Sequence, residues 1–258
     1  MIKVNGNIVN KEYYPDGTLN LNCEVNSYDI NIEWKFENNE EMVFIYFLTK
    51  HLREQYEAEN IKLYLPYVPN SRMDRIKNPQ EVFTLKYFCE FINSLKFNTV
   101  IVRDVHSNVA LALLNNIIID NVKYRIDKLL NNLSDVDIVF YPDEGASKRY
   151  SELINHPYAF GIKNREWSTG KILGLDVHGD IPHKLFNVLI IDDICSYGGT
   201  FYHSAKKLKE MGANRIYLYV THCENSVLKG DLINSGLIDR IYTTESIFTE
   251  EHPLIEVI

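Results

Sequence analysis

Residues 187–200 read NVLIIDDICSYGGT, and this stretch decides the fold. An apolar run, Val188 to Ile191, reads as a buried strand; the acidic pair Asp192 and Asp193 follows, then a small-residue loop, Ser196-Tyr197-Gly198-Gly199-Thr200, then a helical pattern. Strand, acidic pair, glycine loop and helix N-terminus together form a cradle for a phosphate and a ribose. Glycines let backbone N–H groups turn toward an anion, and the helix end adds positive partial charge. Two carboxylates suit ribose hydroxyls or a Mg²⁺ bridging to them. No Gly-Lys-Ser/Thr follows the glycines, so this is not a Walker A loop.

Working outward, strands alternate with helices along the chain. A period-two pattern covers residues 30–36, and Asn38 and Asn39 can cap a helix with Phe44, Phe47, Leu48 and Leu52 on one face. Residues 61–66 and 99–102 read as strands, and residues 80–95 as a helix with Val82, Leu85, Phe88, Cys89 and Ile92 inward. Residues 108–116 read as a short helix. Strands at 137–141 and 158–162, a polar stretch at 163–183, a helix at 200–211, a strand at 215–220, a helix near 227–234 and a strand near 238–243 complete the pattern. Alternation of this kind implies parallel sheets with helices on both faces, and ligands at the carboxyl ends of strands. The boundary between two domains falls between residues 120 and 135, giving 1–125 and 126–258.

The composition narrows the function. With 258 residues, 45% hydrophobic and 24% charged, the chain has ordinary globular content. A net charge of −8 disfavours general nucleic-acid binding. The four cysteines, Cys23, Cys89, Cys195 and Cys223, form no CxxC pair and point neither to a zinc site nor to a disulfide framework. The N-terminus has no apolar core of signal-peptide length, and no run reaches the roughly 20 apolar residues of a membrane span. A cytosolic protein is the simplest expectation.

Four further motifs follow strands. In PYVPNSRMDR (66–75), Arg72 and Arg75 can pair with phosphates, Arg72 can stack on a base, and Asp74 can accept from an adenine amino group. In RDVHS (103–107), His106 beside Asp104 is a candidate for Mg²⁺ or a phosphate oxygen. In PDEGASKR (142–149), Asp143 is a natural Mg²⁺ ligand, while Lys148 and Arg149 place positive charge near phosphates. In KNRE (163–166), Lys163 and Arg165 could close over a polyphosphate and neutralise transition-state charge. Taken singly, each also reads as an ordinary solvated turn or capped helix start.

The order SRMDR, DVH, PDEGASKR, KNRE, DDICSYGGT resembles that of the ribose-phosphate pyrophosphokinases (PRPP synthetases), over about residues 60–245. The resemblance implies two tandem type I phosphoribosyltransferase-like α/β domains with parallel sheets, the N-terminal one compressed, since family members run to about 310 residues. It implies diphosphoryl transfer from ATP, with Mg²⁺, to the 1-hydroxyl of a ribose 5-phosphate unit. Arg72 would sandwich the adenine near Asp74, with Arg75 and Arg149 also on the ATP. His106 and Asp143 would hold Mg²⁺–ATP, and Lys163 and Arg165 would be catalytic. Asp192 and Asp193 would hold ribose hydroxyls, and Ser196, Tyr197, Gly198, Gly199 and Thr200 the 5′-phosphate. Tyr14-Pro15-Asp16-Gly17-Thr18 resembles the family's flag, where Tyr14 and Asp16 would complete an ATP site across the interface of a homo-oligomer.

The phosphate loop departs from the family's aspartate-threonine-glycine-glycine-threonine. Ser196 lacks the carboxylate, and Tyr197 brings a ring onto which a large 5′-substituent could stack. The short chain also resembles the compact, phage-type branch that includes ADP-ribose pyrophosphate synthetases. ADP-ribose is therefore the expected acceptor, slightly ahead of ribose 5-phosphate, in the host cytosol if the chain is phage-encoded. The alternatives are a type I phosphoribosyltransferase, which has no need of SRMDR and DVH, and a non-catalytic PRPP-synthetase-associated subunit.

Overall fold

In a computed structural model, residues 1–165, 172–182 and 185–258 are described, the side chains of residues 163–165 and 172–173 excepted. The chain divides into two units, Met1–Asn121 and Val122–Ile258.

The first unit holds β1 (Ile2–Val4), β2 (Asn7–Ile8), β3 (Glu12–Tyr13), β4 (Leu19–Asn20), β5 (Asp29–Trp34), α1 (Glu41–Gln55), β6 (Asn60–Leu65), α2 (Thr84–Ser94), β7 (Thr99–Arg103), α3 (Asn108–Leu113) and β8 (Ile117–Asp120). Its six-stranded sheet runs β2-β1-β5-β6-β7-β8; β5 to β8 are parallel, and β1 joins antiparallel to β5. β3 and β4 form a separate hairpin. The strands alternate in burial: Ile30, Ile32 and Trp34 of β5 and Ile61, Leu63 and Leu65 of β6 point into one core, which also takes Phe44, Leu48 and Leu52 of α1 and Leu85, Phe88 and Ile92 of α2. Both helices therefore share one cluster, and this sheet packs one face rather than the two expected from βαβ alternation. Two residues assigned inward lie outward: Phe47 is 48% and Val82 59% exposed. Ile45 and Thr49 take up the inner arc of α1 instead. Val82 precedes the first turn of α2, so helical spacing does not reach it.

The second unit holds α4 (Lys123–Asn132), β9 (Ile138–Tyr141), α5 (Glu144–Tyr150), β10 (Tyr158–Arg165), β11 (Ile172–Gly179), β12 (Phe186–Cys195), α6 (Gly199–Glu210), β13 (Ala213–Cys223), a 3₁₀ turn (Asn225–Lys229), α7 (Asp231–Asn234), β14 (Arg240–Thr243) and β15 (Ile255–Val257). The sheet order is β11-β10-β9-β12-β13-β14-β15, with every pair parallel except β10–β11. This sheet is covered on both faces, which explains why β12 reads as a continuous apolar run. Val188 and Ile190 pack with Phe201, Ala205 and Leu208 of α6, while Leu189 and Ile191 pack with Ile126 and Leu129 of α4 and Ala146 and Tyr150 of α5.

Three features differ from the sequence reading. β8 and β15 are short edge strands that no turn signal announces. β12 continues through Asp192 and Asp193 to Cys195, so the acidic pair belongs to the strand and the loop begins at Ser196. Within the described part of 163–183, residues 163–165 and 172–179 are strand: Lys163 and Arg165 lie in β10 rather than on a loop, paired antiparallel to Leu175 and Ile172 of β11 with a register shift at Asn164/Arg165. Glu166, the last residue of KNRE, lies outside the described residues.

Candidate functional site

In the first unit the residues singled out gather where β6 and β7 end. After β6 the chain folds on itself: buried Ser71 donates to the Val68 carbonyl, Asn70 is left-handed at φ 62°, and the Met73 N–H donates to the Asn70 carbonyl at 2.8 Å. This leaves Arg72 and Arg75 exposed and Asp74 partly buried. Asp74 Oδ2 accepts from the Ser107 hydroxyl at 2.9 Å, and Arg75 Nε lies 3.5 Å from Asp74 Oδ1. Ser107 also caps α3, its oxygen accepting from the Val109 N–H at 3.2 Å. SRMDR and DVHS are thus joined by a side-chain bond spanning 33 residues, with His106 exposed beside it.

Sequence reasoning missed Ser107 as the tie between these loops, and it also passed over Arg103. Arg103 is 2% exposed at the end of β7, donates to Asp120 Oδ2 at 2.8 Å and to the Tyr64 hydroxyl, and so locks together the ends of β6, β7 and β8. A buried guanidinium is stable only with such partners. An arginine in register with a strand-end aspartate would be the sequence signal, but the register is visible only once β8 is known.

Tyr14 and Asp16 lie in the turn of the β3–β4 hairpin. Asp16 Oδ1 accepts from the Thr18 N–H at 3.0 Å and from the Thr18 hydroxyl at 2.7 Å, and these bonds lower its pKa below the usual carboxylate range. Tyr14 is 54% exposed, with its hydroxyl 3.3 Å from Asn20 Oδ1. Tyr14, Leu19, Leu21, Phe47 and His51 line a cavity of about 310 Å³.

In the second unit the site assembles at the carboxyl ends of β9, β12 and β13. Asp143 caps α5, accepting from the Ala146 N–H at 3.0 Å. Arg149, one α5 face later, pairs with buried Asp193 at 3.0 Å. It therefore serves the acidic pair directly. Asp193 extends the Leu189/Ile191 row toward α5, while Asp192 is on the opposite face and accepts from the Asp193 N–H at 2.9 Å. Burial, the neighbouring Asp193 and then Asp143 push the Asp192 carboxyl well above its ordinary range. One guanidinium thus faces a surplus of carboxylate, an environment that favours a cation or hydroxyl donors.

The phosphate loop follows. Gly198 is left-handed at φ 80° as the residue before α6, and no side chain caps the helix. A Cβ there would also meet the Leu232 side chain at 2.8 Å. Gly230 is required for a different reason: its φ of −91° suits any residue, but a Cβ would overlap the Tyr197 carbonyl. The loop backbone therefore rests directly on the segment leading into α7. Thr200 lies in the first turn of α6, Gly199 opens onto empty space, and the Tyr197 ring is 61% exposed. The Ser196 hydroxyl donates to Glu224 Oε2, which also accepts from the Ser226 hydroxyl at 3.1 Å. Ser196 itself carries no carboxylate, but that of Glu224 stands against the loop, delivered from the end of β13.

Lys163 and Arg165 are placed only by their backbone in β10, next to β9. Among the described residues no three His, Cys, Asp or Glu side chains form a set that could hold a metal ion. No helix among them is long and apolar enough to cross a membrane.

Comparison with known proteins agrees with this architecture. No family model matches the chain. The crystal structure of phosphoribosylpyrophosphate synthetase from Mycobacterium smegmatis superposes with a TM-score of 0.77 at 18% identity, covering 97% of this chain and 85% of that one. The chain shares the fold of that structure, a mixed α/β architecture with parallel sheets. It is 28% identical over 257 residues to the ribose-phosphate pyrophosphokinase of Mycoplasmopsis pulmonis, covering 95% of this chain and 78% of that protein. It is also 28% identical over 233 residues to the ribose-phosphate pyrophosphokinase of Pyrococcus abyssi, covering 86% and 79%. The chain is thus similar, over most of its length, to ribose-phosphate pyrophosphokinases.

Proposed function

We propose that this protein is an ATP-dependent pyrophosphokinase. The oxygen of the 1-hydroxyl of a ribose 5-phosphate unit attacks the β-phosphorus of ATP, the bond from that phosphorus to the α-phosphate oxygen breaks, AMP leaves and the hydroxyl proton is released. The observation that carries this reading is β12: a buried strand delivering Asp192 and Asp193, then the glycine loop 196–200, into a helix with no side-chain cap. A relative named for this activity matches 95% of the chain, and a second 86%.

The residues take roles that their settings permit. Arg72, held out by the folded loop after β6, would stack on adenine, with Asp74 fixed by Ser107 at its edge. Asp192 and Asp193 would accept the two ribose hydroxyls, with Arg149 paired to Asp193. Backbone N–H groups of the loop and the start of α6 would bind the 5′-phosphate. Lys163 and Arg165 would offset charge on the transferred group. The surplus of carboxylate around Asp192 fits a Mg²⁺ brought by ATP, since this ion usually takes one or two carboxylates with phosphates and water. Asp143 would hold it there, and it would supply charge neutralisation of the polyphosphate; the resemblance assigns His106 to Mg²⁺ as well. A homo-oligomer belongs to this reading: the hairpin at Tyr14 and Asp16 would serve a neighbouring subunit's ATP, and light scattering of the purified protein would test it.

For the acceptor, the exposed Tyr197 ring favours ADP-ribose over free ribose 5-phosphate, because a terminal phosphate gains nothing from an aromatic platform and an adenosine diphosphate does. The test is incubation with Mg²⁺–ATP and either acceptor, following AMP with mass detection of the product. AMP with ADP-ribose pyrophosphate supports the reading in full, AMP with PRPP alone overturns the acceptor, and no AMP with either overturns the pyrophosphokinase. Consumption of PRPP with a nucleobase would instead establish a phosphoribosyltransferase.

A further inference from the structure

The loop's missing carboxylate and the position of Glu224 are two halves of one arrangement. Glu224 follows the last residue of β13 and is partly buried. Its N–H donates to the Cys195 carbonyl at 2.8 Å, which continues the β12–β13 ladder by one step and fixes the glutamate beside the first loop residue. Its Oε2 then accepts two hydroxyl protons, from Ser196 in the loop and from Ser226 in the 3₁₀ turn. Hydrogen bonds to an ionised acceptor are about twice as strong as neutral ones. The Ser196 hydroxyl is therefore held toward Glu224. On the far side Gly230 lets the Tyr197 carbonyl rest against the same turn. The loop is clamped at two consecutive residues onto one short segment, residues 224–230.

We propose that Glu224 is a positioning residue for acceptor binding: its carboxylate takes over, from the neighbouring strand and through the Ser196 hydroxyl, the work of the aspartate that heads this loop elsewhere in the family. The charge holds the loop open in its anion-binding form before the ligand arrives, so the cost of ordering it is removed from binding. Setting the carboxylate back by one hydroxyl also increases its distance from the bound phosphate, which leaves room for a 5′-group carrying more than one phosphate. This rests on the reading of 196–200 as the acceptor's phosphate loop.

The experiment measures binding directly, by calorimetry with ribose 5-phosphate and with ADP-ribose, and in parallel kcat and KM for acceptor and for ATP. Glu224→Gln keeps the size and a hydrogen-bond acceptor but loses the charge, and Glu224→Ala loses both. The expected result is acceptor affinity weakened tenfold or more in Glu224→Gln, further in Glu224→Ala, with the KM for ATP changed less than threefold. The double variant Ser196→Asp with Glu224→Gln puts the carboxylate back on the loop and is expected to restore affinity for ribose 5-phosphate to within threefold. A merely structural glutamate would give no such rescue. Unchanged affinity in Glu224→Gln, or a double variant no better than the single one while its melting temperature equals the wild type's, overturns the proposal. So does a wild type that binds neither ligand. Binding without turnover, by contrast, counts against the pyrophosphokinase reading and leaves the affinity comparison to judge Glu224.

Discussion

Gly230→Ala is the substitution whose outcome the structure constrains most tightly. The backbone at 230 is in an ordinary extended conformation, φ −91° and ψ 163°, so alanine costs nothing there in torsion and even reduces the freedom of the unfolded chain. The whole effect must come from contact. A Cβ would overlap the Tyr197 carbonyl oxygen and lie 2.8 Å from its carbon and 3.2 Å from the Tyr197 Cα. Non-bonded carbons settle at about 3.5–4.0 Å, so the loop must retreat by about 1 Å. The neighbour is backbone rather than a flexible side chain, and Gly198 next to it has no slack against Leu232. Overpacking of this kind costs about 1–3 kcal/mol, or about 2–12 °C of melting temperature for a unit of this size. A displacement of about 1 Å in a positioning loop can also cost about 100-fold in kcat/KM. The assay is a thermal melt together with acceptor affinity. Gly199→Ala, where nothing lies within 4 Å, is the companion: it should leave the melt unchanged and weaken acceptor binding alone, because its methyl group enters the space left for the anion. A Gly230→Ala protein with wild-type melting and wild-type acceptor affinity would refute the claim that the loop rests on residue 230.

Asp192→Asn is expected to raise the melting temperature at pH 7–8 by about 2–4 °C, the equivalent of about 1 kcal/mol, while abolishing acceptor binding. Burial and Asp193 raise the folded carboxyl's pKa, so its contribution to stability is present below the ordinary carboxylate range and is lost as pH rises through the raised value; the gain in the variant should therefore vanish in acid. Arg149→Ala leaves the buried Asp193 carboxylate without this partner and should cost about 2–3 kcal/mol, less than a fully buried pair because Arg149 is itself a quarter exposed; Arg149→Lys should recover part of it in the same melt. Glu41→Gln tests the N-terminal unit. Burial alone would push this carboxyl up, but Lys11 at 2.7 Å, Trp34 Nε1 at 2.8 Å, the Glu37 N–H at 2.9 Å and the amino terminus outweigh it and hold the pKa below its usual range. Its stabilisation is complete above the ordinary carboxylate range and is lost as pH falls through the lowered value. The variant should therefore melt lower at pH 7, by about 1.5–3 kcal/mol of stability, with the gap closing in acid; a gap independent of pH would refute the assignment.

Local chemistry was legible in the chain because it is local. The apolar run 188–191 must be a buried strand whatever surrounds it, Asp-Asp before a glycine pair must present carboxylates beside turned N–H groups, and Gly212 ends α6 where the sequence places it. The order of strands, helices and motifs therefore conveyed the α/β class and most of the candidate site. Side-chain direction was less legible, since Phe47 depends on which way α1 rolls onto its sheet and Val82 on where α2 begins.

What only the tertiary structure decided was partnership. Ser196 and Glu224 are 28 residues apart, Asp74 and Ser107 are 33 apart, and Arg103 meets Asp120 only because β7 and β8 lie in register. A parallel sheet brings the carboxyl ends of successive strands together after each helical crossover, so the residues that meet there are separated by a whole strand-and-helix unit. No periodicity carries information over that distance, and a serine, a glutamate and a glycine in isolation look like any solvated turn. Their identities were already in the sequence; that the serine donates to the glutamate beneath a loop resting on the glycine follows from how the strands pair.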